Sequence, residues 1–404
     1  MRIGLILLAC LILFAGCGGA PEPETQTPEG ARSMASFAAF KDQLITATDL
    51  QDSVARAEAV DALWKSLDRI PFVAGGQVAF LYRGPANHVS FAGDFTGWSP
   101  DAAVARRMGN SDVWLREETF PADARLDYKV VVDGNWILDP ANPAIQRSGF
   151  GDNSELAMPG YVPSPWAERR PDVPRGDLTP GRLDSAALGY PVDYQVYTPV
   201  GYAEMADLPV IYVTDGHEYA DDVMGSLVAV MDNLIAAGKL RPMMAVFIDP
   251  RLNGKNLRAE QFILNGDFVA FVAQELVPVI DGAWATRDDR NARGILGTSF
   301  GGLNSAFFAV RASDTFRHIG IQSPAFHAGD GAIVGMFKDA PRLDLDIYLT
   351  WGTFNDFGET TERFLKVLED KGYDYRFKVV NEGHSWGNWR ALVDDILLAF
   401  WLAL

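Results

Sequence analysis

The chain has 404 residues, a net charge of −18, 48% apolar and 22% charged residues. That length asks for two folded units plus appendages, and the balance of residues excludes a largely disordered chain. The acidic surface repels phosphate backbones and excludes nucleic-acid binding. The two cysteines, Cys10 and Cys17, both lie at the start, so the body of the chain has no disulfide, thiolate metal site or cysteine nucleophile. Any histidine chemistry must use one of five residues: His88, His217, His318, His327 or His384.

Residues 1–16 read as a lipoprotein signal peptide. Arg2 is its positive start. Ile3 to Phe14 is an apolar run too short to span a bilayer, and the small Ala15 and Gly16 precede Cys17. The pattern resembles a bacterial lipoprotein signal, with Phe14 standing where leucine is usual, and implies acylation of the Cys17 thiol. An ordinary secretory signal cut nearby is the alternative. Gly18 after the cysteine points to the outer membrane, facing the periplasm or the outside, with membrane contact through the lipid anchor only. Residues 17–33, rich in Pro, Glu and Thr, cannot bury a core and are expected to form a disordered tether.

Residues 34–70 predict a helical segment of two helices, with Phe37, Phe40, Leu44 and Ile45, then Val54, Val60, Leu63, Trp64 and Leu67, at helical spacing. Residues 71–160 predict a β-sandwich, with strands at Gln77–Tyr82, His88–Ala92, Val113–Phe120 and Leu126–Val132 separated by Gly, Pro and Asn turns. Residues 161–185 read as a Pro/Arg/Asp-rich linker. From 186 to 404, strand and helix signals alternate. The strands are expected at Val192–Thr198, Val210–Thr214, Met244–Ile248, Gly294–Gly297, Ile319–Gln322, Ile347–Trp351 and Phe377–Val380. Helices are expected at Phe268–Ile280 and Thr360–Asp370, among others. Such alternation predicts an α/β fold with a mostly parallel sheet wrapped by helices.

The sharpest local signal is Gly297-Thr298-Ser299-Phe300-Gly301. A β-like run precedes this G-x-S-x-G and a helix-like run follows it. Small residues on either side let the turn close tightly and push the Ser299 hydroxyl out at a helix N-terminus. A glycine-flanked serine can also simply cap a helix. A nucleophilic serine needs a base, and His384, in the loop after the last strand, is the candidate. Asp356, after the penultimate strand, would orient the imidazole, with Glu359 and Asp249 as runners-up. The order Ser, Asp, His is that of an α/β-hydrolase. The oxyanion hole would use the Phe300 amide and the His217 amide, with Glu218 the neighbouring alternative.

Together these residues resemble the esterase family that includes enterochelin, feruloyl and acetyl-xylan esterases, S-formylglutathione hydrolase-like enzymes and mycolyltransferases. The resemblance covers roughly residues 190–400. It rests on the segments 213–219, Arg258-Ala259-Glu260, 297–302, Gln322-Ser323, 352–356 and Glu382-Gly383-His384-Ser385-Trp386-Gly387-Asn388-Trp389-Arg390. Ser385 departs from the aspartate such proteins often carry. Residues 91–100 and 128–140 resemble a glycogen-binding, immunoglobulin-like early-set domain. There the positions matching Trp98, Lys129, Trp136 and Asn153 hold a glucan, while Gly149-Phe150 departs from the apolar residue that hooks the sugar. A sandwich kept only for packing is the alternative.

The fold implied is an α/β-hydrolase domain preceded by that sandwich and a short helical segment. The function implied is an exported serine carboxylesterase working through an acyl-enzyme, with no metal or organic cofactor. Its substrate would be a siderophore trilactone or a phenolic or acyl ester of a polysaccharide. The alternatives are acyl transfer by the same triad, or a lipid-anchored glycan-binding protein with an inactive hydrolase domain.

Overall fold

The computed structural model describes residues 36–403. The expected signal peptide, Cys17 and the tether lie outside the described residues. Two helices come first, Phe37–Thr48 and Ser53–Ser66. Side chains cap both: Ser36 accepts the Ala39 N–H, and Asp52 accepts those of Val54 and Ala55. Phe37, Phe40, Leu44, Val60 and Leu63 are buried, and Phe40 stacks on Phe72 at 4.5 Å. Ile45 and Val54, expected in the same apolar stripes, are exposed. A single sheet covers these helices, so only the side facing it is buried.

That sheet runs Phe72–Ala74, Gln77–Arg83, Val113–Thr119, Arg106–Arg107 in spatial order. Its outer face (Ala79, Leu81, Val113, Leu115) meets the helices, and its inner face (Val78, Phe80) meets a second sheet. Both faces are covered, which is why Val78-Ala79-Phe80-Leu81 is apolar without alternation. The second sheet is built on Arg125–Val132, flanked by Val89–Gly93 and by Asn153–Ala157. Leu126, Tyr128 and Val130 point into the sandwich core, and Arg125, Asp127 and Lys129 point out of it. The four sandwich strands expected from sequence are present within one or two residues, and shorter ones were not anticipated.

The remaining chain forms an eight-stranded sheet, whose strands are numbered here in chain order. They are β1 (Asp177–Asp184), β2 (Pro191–Thr198), β3 (Val210–Val213), β4 (Met244–Ile248), β5 (Arg293–Thr298), β6 (His318–Gln322), β7 (Asp346–Gly352) and β8 (Tyr375–Val380). The spatial order is β1-β2-β4-β3-β5-β6-β7-β8, antiparallel at β1–β2 and β2–β4 and parallel from there to β8. Helices cover both faces over two apolar cores. Strand β1 corrects the linker expected at 161–185, because residues 177–184 pair with β2 along their whole length. As an edge strand carrying Pro180 and Gly181 and largely exposed, it has no apolar run for a sequence reading to find.

Among the described residues, no helix is long and apolar enough to cross a membrane.

Candidate active site

Strand β5 ends at Thr298, and the helix Phe300–Arg311 begins one residue after Ser299. Ser299 makes the whole turn, with φ 59 and ψ −117, a conformation L-residues rarely hold without support. Support comes from β6 and the segment after it: the Ser299 N–H donates to Gln322 O and its carbonyl accepts from Ala325 N, each at 3.0 Å. The glycines are required by contact. A Cβ on Gly297 would lie 2.3 Å from Thr214 Oγ1, and one on Gly301 would lie 2.5 Å from the same atom.

His384 and Ser299 line one cleft. Behind the imidazole, Nδ1 lies 2.5 Å from Asp356 Oδ1. A carboxylate only accepts, so Nδ1 carries the proton and Nε2 is left as a base. Phe357 and Trp389 stand edge-on to the ring at 4.8 and 4.9 Å. The other Asp356 oxygen accepts from the Gly352 N–H (2.5 Å), Ser323 Oγ (2.6 Å) and Asn388 Nδ2 (3.3 Å). Burial pushes the Asp356 carboxyl above the usual carboxylate range, opposed by these bonds and by His384. Ser323, itself bonded by Trp389 Nε1 at 2.8 Å, and Asn388 thus orient the Asp356 carboxylate. Sequence reading assigned neither a role, although both fall inside segments it singled out.

The runners-up for the acid are elsewhere. Asp249 pairs with Arg251 and sits 3.6 Å from His217, and Glu359 pairs with Arg363 on the exposed face of the helix Gly358–Asp370. Phe300 opens the helix after Ser299, so its N–H belongs to a helical first turn. Residues Gly216–Tyr219 form a short helix after β3. The His217 imidazole faces away from the cleft, into a hollow with Asp193, Tyr194 and Asp249, and burial lowers its pKa. Its neighbour Glu218 does line the cleft, accepting Trp386 Nε1 at 2.9 Å, and burial raises its pKa. Arg258, also in the cleft, is held by both Asp215 oxygens at 3.0 and 2.8 Å. His318 bonds Asp346 and Asn291 O, at the far end of the sheet from the cleft.

The sandwich supplies part of the cleft wall. Ser148, Gly149, Phe150 and Asn153 line it, and a Cβ on Gly149 would lie 1.9 Å from Glu218 Oε1. Of the four residues matched to glucan contacts, Asn153 therefore lines the same cleft as Ser299, donating to Asp127 at 3.1 Å. Trp98 is half-buried and donates to the buried Asp94 at 3.1 Å. Lys129 is half-buried, and Trp136 is exposed. Among the described residues, no group of three or more His, Cys, Asp or Glu has the geometry to hold a metal ion.

The family model described as "Putative esterase" matches residues 185–400, more than half of the chain. The chain belongs to this esterase family. It is a carboxylic-ester hydrolase. An endo-1,4-β-xylanase/feruloyl esterase of Xylanibacter ruminicola is 26% identical over 72% of the chain, and the chain spans only 40% of that relative's length. The uncharacterized protein YjcH of Bacillus subtilis is 24% identical over 55% of the chain and 96% of its own length. Among solved structures, the ferric enterobactin esterase of Salmonella typhimurium superposes with a TM-score of 0.70 at 20% identity, covering 84% of this chain and 98% of that one. The enterobactin esterase of Shigella flexneri gives 0.68 at 22% identity, over 80% and 92%. These likenesses span both the sandwich and the hydrolase sheet, and at such identity they speak to fold.

Next to His384, Glu382 is buried, and burial lifts its carboxyl from 4.5 to about 7 against the pull of Arg125, with Asp127, Glu155 and Asp356 adding to the rise. A carboxyl raised on folding stabilises the fold fully below its unfolded pKa, and that contribution is lost as pH rises through the folded value. The window is therefore pH 4.5 to about 7, and the loss is of order 3 kcal/mol. Glu382→Gln should remove it. Denaturant unfolding of wild type should weaken across this window more than that of Glu382→Gln; equal slopes would refute the assignment.

Proposed function

We propose that this esterase works by a serine triad. Ser299 Oγ attacks the ester carbonyl while His384 Nε2 takes its proton, and Asp356 stabilises the imidazolium. The tetrahedral oxyanion is held by the amides of Phe300 and His217. The alcohol leaves with the proton from His384, and water activated by the same imidazole then hydrolyses the acyl-enzyme. The observation that carries this reading is the buried Asp356–His384 pair opening, through the imidazole, onto the cleft that Ser299 also lines.

For the substrate we propose an acyl or phenolic ester carried on a polysaccharide. The cleft encloses about 110 Å3, against roughly 300 Å3 or more for pockets that swallow a drug-sized ligand. It suits the reacting acyl end of a molecule whose bulk stays outside. On the sandwich, Lys129, Trp136 and Asn153 share one face by strand alternation, and Asn153 reaches the cleft. An exposed indole there offers a face for a sugar ring. The Xylanibacter ruminicola relative, described as a xylanase and feruloyl esterase, supports the same class. A siderophore trilactone is the second reading, supported by the fold shared with enterobactin esterases. Arg258, the cation in the cleft, is already occupied by Asp215.

Turnover of p-nitrophenyl acetate should vanish in Ser299→Ala together with fluorophosphonate labelling, and Asp356→Asn should cost about 10⁴ in kcat. Equal labelling of wild type and Ser299→Ala would remove the nucleophile. Offered methyl ferulate, feruloylated xylan and enterobactin, the enzyme should prefer the first two; preference for enterobactin reverses the substrate reading.

In Trp136→Ala, xylan affinity measured by affinity electrophoresis should fall while p-nitrophenyl acetate turnover is kept. Unchanged affinity would leave the sandwich without a glycan role.

We further propose that the enzyme is exported and lipid-anchored at Cys17, on the signal pattern of residues 1–16. Metabolic labelling with radioactive palmitate should mark wild type and not Cys17→Ala, and label retained in the variant would exclude this anchor.

A further inference from the structure

The loop that carries His384 is packed on the sandwich as closely as backbone can approach side chain. Arg125 opens the central strand of the second sheet, and its N–H donates to Asn381 O at 3.0 Å, while Asn381 Nδ2 donates to Asp123 at 2.8 Å. Its guanidinium is fully buried. One edge is clamped within the sandwich: Nε and Nη2 reach Glu155 Oε2 at 3.0 and 2.6 Å, and Nη2 also meets Asp127 Oδ1 at 2.9 Å and Gln146 Oε1 at 3.1 Å. The remaining nitrogen, Nη1, crosses to the hydrolase, donating to Ser385 Oγ at 3.3 Å with Glu382 Oε2 at 3.9 Å. A Cβ on Gly387 would lie 1.9 Å from the Arg125 Cζ, and one on Gly383 would lie 2.0 Å from Asp94 Cγ. The residues on either side of His384 thus rest on one buried ionic cluster.

We propose that Arg125 is a positioning residue for His384: from the sandwich it holds the loop 381–387 in the shape that presents the imidazole to Ser299, so that the sandwich completes the esterase centre. This rests on the reading of His384 as the general base. Within the hydrolase, Asp356 fixes the imidazole about Nδ1, and the loop backbone is tied on that side by the Phe354 N–H to Glu382 O at 3.1 Å and Asn388 Nδ2 to Gly383 O at 2.9 Å. The Arg125 cluster holds the same loop from the opposite side, through Asn381 O and Ser385 Oγ. Apolar packing would stabilise such an interface at least as well as a buried guanidinium among Asp94, Asp127, Glu155 and Glu382. What the ionic cluster adds is direction, because a planar fork satisfied on both edges tolerates little displacement of either partner. Trp98, bonded to Asp94, serves as a further peg of this cluster.

The test is made in the full chain. Arg125→Ala should lower kcat for p-nitrophenyl acetate by about 10- to 100-fold with KM little changed, the size expected for an ångström-scale misplacement of a catalytic group. Millimolar guanidinium, far below denaturing concentrations, should return much of the lost kcat and leave wild type unaffected. A folded Arg125→Ala protein with wild-type kcat, or a loss that guanidinium leaves untouched, overturns the proposal. If circular dichroism shows that this variant does not fold, Arg125→Lys decides. It keeps a cation opposite the carboxylates but cannot span Glu155 and Ser385 together, so it should lose about tenfold in kcat, and wild-type kcat there overturns the proposal equally. Ser299→Ala separates the two claims. Activity retained in it removes the nucleophile, whereas an inactive Ser299→Ala beside a fully active Arg125→Ala removes only the positioning role.

Discussion

A serine forced to φ 59 between a strand and a helix is the constraint on which the rest of this molecule depends. Such a conformation costs about 1–3 kcal/mol and persists only where its surroundings over-determine it. Here they do: β6 bonds the serine amide, the segment after β6 bonds its carbonyl, and Thr214 after β3 leaves no room for a side chain at Gly297 or Gly301. The parallel sheet exists, in functional terms, to bring the ends of β3, β5, β6, β7 and β8 together around that one residue. Each end delivers a part: the Gly216–Tyr219 turn, Ser299, Ser323, Asp356 and His384.

Asp356, the acid of the proposed triad, is built to stay oriented rather than to be strong. Asp356 is almost wholly buried, and its oxygens are taken up by His384, Gly352, Ser323 and Asn388. Low local polarity makes each of these bonds stronger than it would be in water. Aromatic edges from Phe357 and Trp389 leave the imidazole little freedom to rotate away.

The second constraint is between the two folded units. The sandwich uses one sheet face for its own core and gives the end of the other to the histidine loop, through Arg125, Asp94 and the chain at 147–153. The same face continues outward past Asn153 to Lys129 and Trp136, so a small cleft and a long open surface meet near Ser299.

Local chemistry was written in the sequence wherever a residue's role depends on its immediate neighbours. Gly-Thr-Ser-Phe-Gly announces a tight elbow because only small flanking residues allow one. The apolar runs of β3 to β7 announce buried parallel strands because both sheet faces are covered. Strand β1 escaped, since an exposed edge strand with Pro180 and Gly181 is held by β2 and not by its own pattern. Arg125 and Asp127 drew no assignment for the opposite reason: alternation with Leu126 and Tyr128 turns them away from the sandwich core, and only the docking of a loop more than two hundred residues away in sequence buries them. The closeness of Asn153 to Ser299 was likewise settled by how the sandwich meets the hydrolase, whereas the His217 imidazole is directed by contacts within the hydrolase itself, beside Asp193, Tyr194 and Asp249. Spacing along a chain reports on turns and faces, but which face meets which depends on packing between distant segments, and that is a property of the tertiary structure alone.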